Sequence, residues 1–376
     1  MSAVMSERVL SVKDKAFAFA KTFIASRTDL HVQEKFPEDL WEDLARNGLH
    51  GLGIPVEFGS SGGDYLSISA AGHALAAGGN NLGFVLSWFM HQLTARFFLL
   101  EKGNTTQHRV YLPDMSCGKI TACAAISEPQ GGAHPKYLTT TADHTGTDYI
   151  VSGRKTFLTN AAFADLFIVF AITGMENDRK RFSAIIVPRH TQGLTLTEPL
   201  DLGFLKPCPH GGIIMEGCRV SENDLLGNEG IAYEDMALPF REVEDALMMG
   251  PISGGIRSLG TMLVRLIKDQ AVPLREDLDA RLGEIEADTA ALEILAYEAA
   301  AMLGGDPFPE ELSPLLIFCR RVTSEILPKF RKVALSTGIR TDPLYENMAN
   351  DLERSGRIAA NVANIKQKRI GRTLLA

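Results

Sequence analysis

Residues suited to binding and proton transfer occur at three places in this chain. In the middle third, the segments SEPQGG and KTFLTNA supply hydroxyl groups, among them Ser127 and Thr159, and an aromatic side chain, at Phe157. Hydroxyl groups can hydrogen-bond to a bound ring, and an aromatic face can pack against it. Further along the chain, Glu242 and Glu244 are carboxylates of the kind that act as general bases.

The two middle segments belong to a region with strand character. From about residue 118 to 227 the apolar pattern has a period of two, and Gly, Pro and Asp turns separate roughly seven short runs. Strands this close together, without helices between them, predict an antiparallel barrel or sandwich. No GxGxxG follows a strand in a βαβ setting, which disfavours a nicotinamide dinucleotide fold. We therefore predict a middle β domain over residues 118–228.

Helical segments flank this region on both sides. Residues 1–117 carry apolar residues at helical spacing and predict an N-terminal helical domain. Residues 229–376 predict a C-terminal four-helix bundle, with helices over Tyr233–Lys268, Arg275–Leu303, Ser313–Leu335 and Leu344–Leu375. The predicted fold class is α+β, in the order helical domain, β domain, helical bundle.

Composition excludes several other classes of protein. The net charge is −8 over 376 residues and no run of five Lys or Arg occurs, which argues against nucleic-acid binding. The five cysteines show no CxxC spacing, so neither a disulfide framework nor a metal site is predicted. There is no signal-peptide pattern and no apolar run long enough to span a membrane. We expect a soluble cytoplasmic enzyme.

The layout and the two middle segments together resemble the acyl-CoA dehydrogenases. SEPQGG is similar to the TEP-type loop of that family, and KTFLTN to its W-x-TN-type strand end. The resemblance implies bound FAD, contacted by Ile126, Ser127, Phe157, Leu158 and Thr159, with Phe157 in place of the usual tryptophan. It also implies α,β-dehydrogenation of an acyl-CoA, as in fatty-acid metabolism, with electrons passed to an electron-transferring flavoprotein.

The loop departs from the family pattern after Pro129. Where G-A-G-S-D is usual, this chain has QGGAH, so the serine that normally meets the nucleotide of the substrate is Ala133. Ala133 and Arg241 are the two positions that we expect to contact the substrate.

The family also needs a glutamate close to the α-carbon of the substrate, on the side away from the flavin. In most members this glutamate lies near the chain end. Here no acid occurs after Arg354, and Ala359, Ala360 or Ala363 falls at the matching position. The usual base is therefore absent.

A minority of the family carries the glutamate on the first helix of the bundle. Alignment on Gly250 and Pro251 places Val243 at that position, between Glu242 and Glu244. Neighbours on a helix differ by about 100° in direction, so one step matters. We predict Glu244 as the base, with Glu242 as the alternative.

Contacts to the far end of FAD, which family tetramers exchange between subunits, are also altered. Asp269 occupies the position of an arginine, and Gly338 is the one glycine left of a GG-x-G turn. Three hypotheses follow: an active homo-oligomeric dehydrogenase, a weakly active subunit completed by a paralogous chain, or a flavin-free acyl-CoA-binding scaffold.

Overall fold

A computed structural model describes residues 5–273, 276–305, 308–358 and 360–375. The first part of the chain is helical. Side-chain oxygens at helix starts accept hydrogen bonds from free backbone N–H groups, as Asp64 does from Ser67 and Asn81 from Phe84. The helices are α1 (Glu7–Phe19), α2 (Glu38–Arg46), α3 (Tyr65–Gly79), α4 (Leu82–Leu93) and α5 (Thr105–Ser116), and π-helical turns extend α1 over Ala20–Ile24 and α4 over Thr94–Leu100.

The middle of the chain forms one sheet. Its strands are β1 (Ala122–Ala125), β2 (Thr141–Thr145), β3 (Asp148–Thr159), β4 (Leu166–Glu176), β5 (Arg179–Pro188), β6 (Leu194–Leu196), β7 (His210–Ser221) and β8 (Leu225–Leu226). The strand order is β6-β7-β3-β2-β4-β5-β8, with β1 also paired to β4.

The prediction of an antiparallel sheet was wrong at β4. Strand β1 pairs with β4 in parallel, from Ala122 opposite Leu166 to Ala125 opposite Val169. Strand β2 also meets β4 in parallel, at a single pair. Since β2 and β3 pair antiparallel while β1 and β2 both run parallel to β4, the sheet is mixed.

Strand β4 separates the two main cores. Its pleat alternates side chains between faces, so Phe167 and Val169 enter the inner core of the sheet. Ile168 and Phe170 enter the large core that the sheet shares with the helices. Burial on both faces accounts for the continuous apolar run in the sequence of this strand.

The C-terminal part has more helices than predicted. They are α6 (Leu238–Asp269), α7 (Glu276–Met302), α8 (Leu312–Thr337), α9 (Pro343–Arg357) and α10 (Ala360–Leu375), and the predicted helix start at Arg275 lies outside the described residues. The single helix predicted over Leu344–Leu375 is divided into two, α9 and α10. The backbone is extended at Ile358, which follows Ser355 and Gly356, and both of these residue types are weak helix formers. Within the described ranges, no helix is long and apolar enough to cross a membrane.

Close packing of α6 against α3 fixes the position of α6. Gly250 and Gly254 lie one turn apart on α6 and face α3. A β-carbon at Gly250 would clash with the carbonyl oxygen of Ser69, and one at Gly254 with that of His73. The absence of side chains at these two positions therefore sets how α6 presents its polar residues.

Candidate active site

The end of β3 is distorted in a way that exposes an aromatic side chain. The register between β3 and β7 shifts between Lys155 and Leu158, and Phe157 has a φ of 57°. That conformation is strained for a bulky residue, and such strain concentrates at functional sites. As a result Phe157 is 58% exposed, while Leu158 is buried in the inner core of the sheet.

A buried ion pair stabilises the end of β3. The Nζ of Lys155 donates to Glu128 at 2.9 Å and to the carbonyl oxygen of Ile126 at 3.1 Å. Backbone and hydroxyl groups of Thr139 and Thr140 donate four more hydrogen bonds to Glu128. Burial alone would raise the pKa of Glu128, but Lys155 and Thr140 lower it to about 2. Glu128 is thus held as a carboxylate.

This network joins the two predicted segments. Lys155 ties β3 to the loop at Ile126 and Glu128, and the backbone N–H of Thr156 donates to the carbonyl oxygen of Ser127 at 3.0 Å. Ser127 is half-buried. The SEPQGG loop and the KTFLTN strand end therefore lie side by side.

Next to this strand end is a cavity of about 730 Å³, bounded by α4, α6, α8 and α9. Phe157 and Thr159 line it, whereas Ile126, Ser127 and Leu158 do not. Most of its wall is apolar, supplied by side chains such as Leu86, Met90, Met249 and Ile252. The cavity combines an aromatic edge and a hydroxyl group with a largely apolar lining.

Glu244 is the acid on α6 that lines this cavity without a strong partner. Among the described residues, nothing hydrogen-bonds or ion-pairs with its carboxylate. Burial and the neighbouring Asp245 raise the pKa of Glu244 to about 7, against the opposing charges of Arg241 and Arg320. A carboxyl group with a pKa near 7 can take up and release a proton at neutral pH.

The other candidate acid is occupied elsewhere. Glu242 pairs with Lys366 of α10 at 2.8 Å, accepts from Ser313 at 3.5 Å and does not line the cavity. This placement argues against Glu242 as the base. Val243, at the aligned position itself, is fully buried in the large core.

Asp245 lines the cavity as well, but it is paired. Its carboxylate accepts from Arg320 of α8 at 2.7 Å and from Lys366 at 3.2 Å. Because two cations pair with Asp245 and, in the described part of the chain, none pairs with Glu244, Glu244 is the carboxylate on this part of α6 that is free to accept a proton.

The two predicted substrate contacts are neighbours. Arg241 donates to the carbonyl oxygen of Ala133 at 3.1 Å, and the hydroxyl group of Tyr233 donates to the same oxygen at 3.3 Å. These bonds tie the SEPQGG loop to the start of α6. Neither Ala133 nor Arg241 lines the 730 Å³ cavity, so their contact with substrate stays a prediction.

Several residues of the cavity wall were not predicted from the sequence. They lie on α8 and α9, where no local motif marks them, since arginines on amphipathic helices usually face solvent. The signal in the sequence is a spacing of three or four residues along α8. These residues are Arg320, Ser324, Leu327 and Arg331 on α8, and Glu353 and Arg357 on α9.

Two family profiles match the chain. The acyl-CoA dehydrogenase N-terminal domain matches residues 6–119, and the acyl-CoA dehydrogenase middle domain matches residues 123–218. Together they cover more than half of the sequence.

Individual relatives differ in their substrates. The chain is 35% identical to an L-prolyl-[peptidyl-carrier protein] dehydrogenase of Pseudomonas fluorescens, in a match that spans 50% of this chain and 50% of that relative. It is 27% identical to a 3-(aryl)acrylate reductase of Clostridium sporogenes, over 91% of each. Its fold is similar to that of PigA with FAD and proline, with a TM-score of 0.86, 19% identity, and coverage of 100% of this chain and 99% of that one.

Proposed function

This chain belongs to the acyl-CoA dehydrogenase family, and on that basis we propose that it oxidises an acyl thioester to its 2-enoyl form with FAD as cofactor. The relatives in this family are oxidoreductases, and this chain is an enzyme of the same class. The observation that carries the proposal is Glu244, an unpaired carboxylate in an apolar cavity beside Phe157 and Thr159.

The residues around the cavity fit a flavin ring. Phe157 offers an exposed aromatic face, Thr159 a hydroxyl group, and the remaining wall is mostly apolar. Aromatic and hydroxyl groups in such positions can hold a planar heteroaromatic ring and orient it. When bound, FAD supplies the acceptor for the hydride that leaves the β-carbon of the substrate.

Glu244 would remove the α-proton. Its apolar surroundings raise its basicity, and the absence of an ion-pair partner leaves its oxygens free to approach the α-carbon. A base with a pKa near the working pH is ionised in a large fraction of molecules and still accepts a proton readily. Exclusion of water by the apolar walls strengthens its effect on the thioester.

The unpaired Glu244 also bears on the choice among the three hypotheses for this chain. A subunit that relied on a paralogous chain for its base would not need a half-buried carboxylate without a partner in its own cavity, because removing such a group from water is costly. This supports the active dehydrogenase over the weakly active subunit and over the flavin-free scaffold.

Two groups are candidates for the carrier to which the acyl group of the substrate is attached as a thioester. The resemblance implies coenzyme A, and the prolyl-carrier-protein relative favours a carrier protein with a phosphopantetheine arm. An electron-transferring flavoprotein as acceptor and a cytoplasmic location complete the proposal, the latter supported by five free cysteines among the described residues.

The test is anaerobic bleaching of bound flavin by a panel of acyl-CoA and acyl-carrier-protein thioesters. Glu244→Gln keeps the shape of the side chain but removes the base. General base catalysis contributes about 10²- to 10⁴-fold, and we expect a loss of that order with flavin still bound. Glu242→Gln, a matched change two residues away, should keep most of the rate. Rapid bleaching in Glu244→Gln, or loss confined to Glu242→Gln, would refute this assignment.

A further inference from the structure

We propose that Arg331 and Arg357, together with Glu353 between them, form a binding site for a phosphate ester group of a molecule seated in the cavity. We call these three residues the arginine rim. The inference deepens the proposed function and rests on it, since that function uses two kinds of phosphate-bearing ligand: the dinucleotide cofactor and the thioester carrier.

The arginine rim carries uncompensated positive charge. Arg331 pairs with one oxygen of Glu353, and Arg357 pairs with the other at 2.5 Å. One carboxylate between two guanidinium groups leaves a net charge of about +1. A guanidinium has five N–H donors, so the pairing with Glu353 leaves most donors of both arginines free.

The arginine rim belongs to the same cavity as the proposed base. Arg331, Glu353 and Arg357 all line it, together with Glu244 and Thr159. A phosphate ester bound there would therefore be part of a molecule that also reaches the reacting end, and not a separate ligand of the surface.

The position of the rim along α8 indicates the length of that molecule. Arg320 and Arg331 both line the cavity, and Arg320 pairs with Asp245, the neighbour of Glu244. The eleven-residue separation corresponds to roughly 16 Å of helix. An elongated ligand is needed to span this distance, and both a flavin dinucleotide and a phosphopantetheine thioester are elongated.

The segment that carries the rim is anchored. Arg354 donates to the carbonyl oxygen of Gly203 at 2.8 Å and lies over the ring of Phe204, 4.4 Å from its centre. One turn earlier, the buried Asp351 accepts from the backbone N–H of Leu205 at 2.8 Å. These contacts hold the end of α9 against the loop that forms part of the cavity wall, which limits the ordering cost of binding.

The experiment measures binding by the full-length chain freed of flavin, so it does not depend on turnover. Riboflavin, FMN and FAD are titrated by flavin fluorescence, and pantetheine and 4′-phosphopantetheine by calorimetry. The variants are Arg331→Gln, Arg357→Gln and the double change. Arg321→Gln is the matched control, because Arg321 is also an exposed arginine of α8 paired with an acid, Glu325, but does not line the cavity.

We expect the double change to weaken binding of a phosphate ligand at least about tenfold, since bonds to charged groups are lost, and to flatten its salt dependence. A loss for FAD with riboflavin unchanged identifies the cofactor as the source of the phosphate. A loss for phosphopantetheine with pantetheine unchanged identifies the carrier.

Three results would overturn the inference. They are unchanged affinity for every phosphate ligand, an equal loss for riboflavin or pantetheine, or an equal loss in Arg321→Gln. Failure of the proposed function is a separate result: wild-type protein that binds no flavin removes the FAD proposal, while the phosphopantetheine arm still tests the rim. Wild-type protein that binds neither ligand refutes both.

Discussion

The pH dependence of the proton-removal step tests the assignment of Glu244 most directly. Burial and Asp245 raise the pKa of Glu244 to about 7. A base with this pKa is about 9% ionised at pH 6 and about 91% ionised at pH 8, so the rate should rise about tenfold between them. A glutamate with its ordinary pKa of about 4.3 would be almost fully ionised at both values and would give a flat profile.

Asp245→Asn perturbs this pKa in a known direction. It removes a negative charge next to Glu244, so the carboxylate becomes easier to form and the midpoint moves to lower pH. A unit charge at roughly 8 Å contributes about 2 kcal/mol at an effective dielectric constant of 20. Arg320 and Lys366 already offset part of this charge. We therefore expect a shift of about one pH unit.

The assay is stopped-flow bleaching of the flavin under anaerobic conditions with saturating thioester, which isolates this step from the electron acceptor. A substrate deuterated at the α-carbon should slow the step if proton removal limits it. Asp279→Asn, an exposed site on α7, makes the same charge change and should leave the profile in place. A flat wild-type profile between pH 6 and 8 would refute Glu244 as the base, and an unmoved midpoint in Asp245→Asn would refute the electrostatic argument.

Two further predictions concern the buried ion pair between Lys155 and Glu128. Lys155→Met leaves the buried Glu128 carboxylate without its cation. We expect this change to lower the free energy of unfolding, measured by urea titration, by about 3 kcal/mol. This value is at the low end for a broken buried ion pair, because four hydrogen bonds from Thr139 and Thr140 to Glu128 remain. Lys119→Met, at an exposed site, should change it little, and equal losses would contradict this reasoning. The folded-state pKa of Glu128 lies near 2, below its value in the unfolded chain, so its contribution is full above about pH 4.5 and is lost as pH falls towards 2. Acid titration of wild type and Lys155→Met checks this, since the variant should lose less stability over that range.

The sequence predicted the β features of the site better than its helical wall. The SEPQGG loop and the strand end at Phe157 are local motifs that can be read from the sequence, and the structure joins them through the hydrogen bond between Thr156 and Ser127. The parallel pairing of β1 with β4 was not predictable, because strand periodicity shows which side chains face a core and not which strand lies alongside. The arginine rim was missed for a related reason: nothing near Arg331 in sequence indicates that α9 lies opposite.

The choice among the acids of α6 shows where local reasoning ends. Helical geometry separates Val243, which enters the core, from Glu244, which enters the cavity, and this follows from a 100° step. It does not separate Glu244 from Glu242 in chemistry, since both are glutamates on a half-buried helix. That difference comes from Lys366 on α10, which holds Glu242 and Asp245 and leaves Glu244 unpaired. The pKa of a partly buried acid rises when no cation pairs with it, so the proposed role of Glu244 depends on a lysine more than a hundred residues away in sequence.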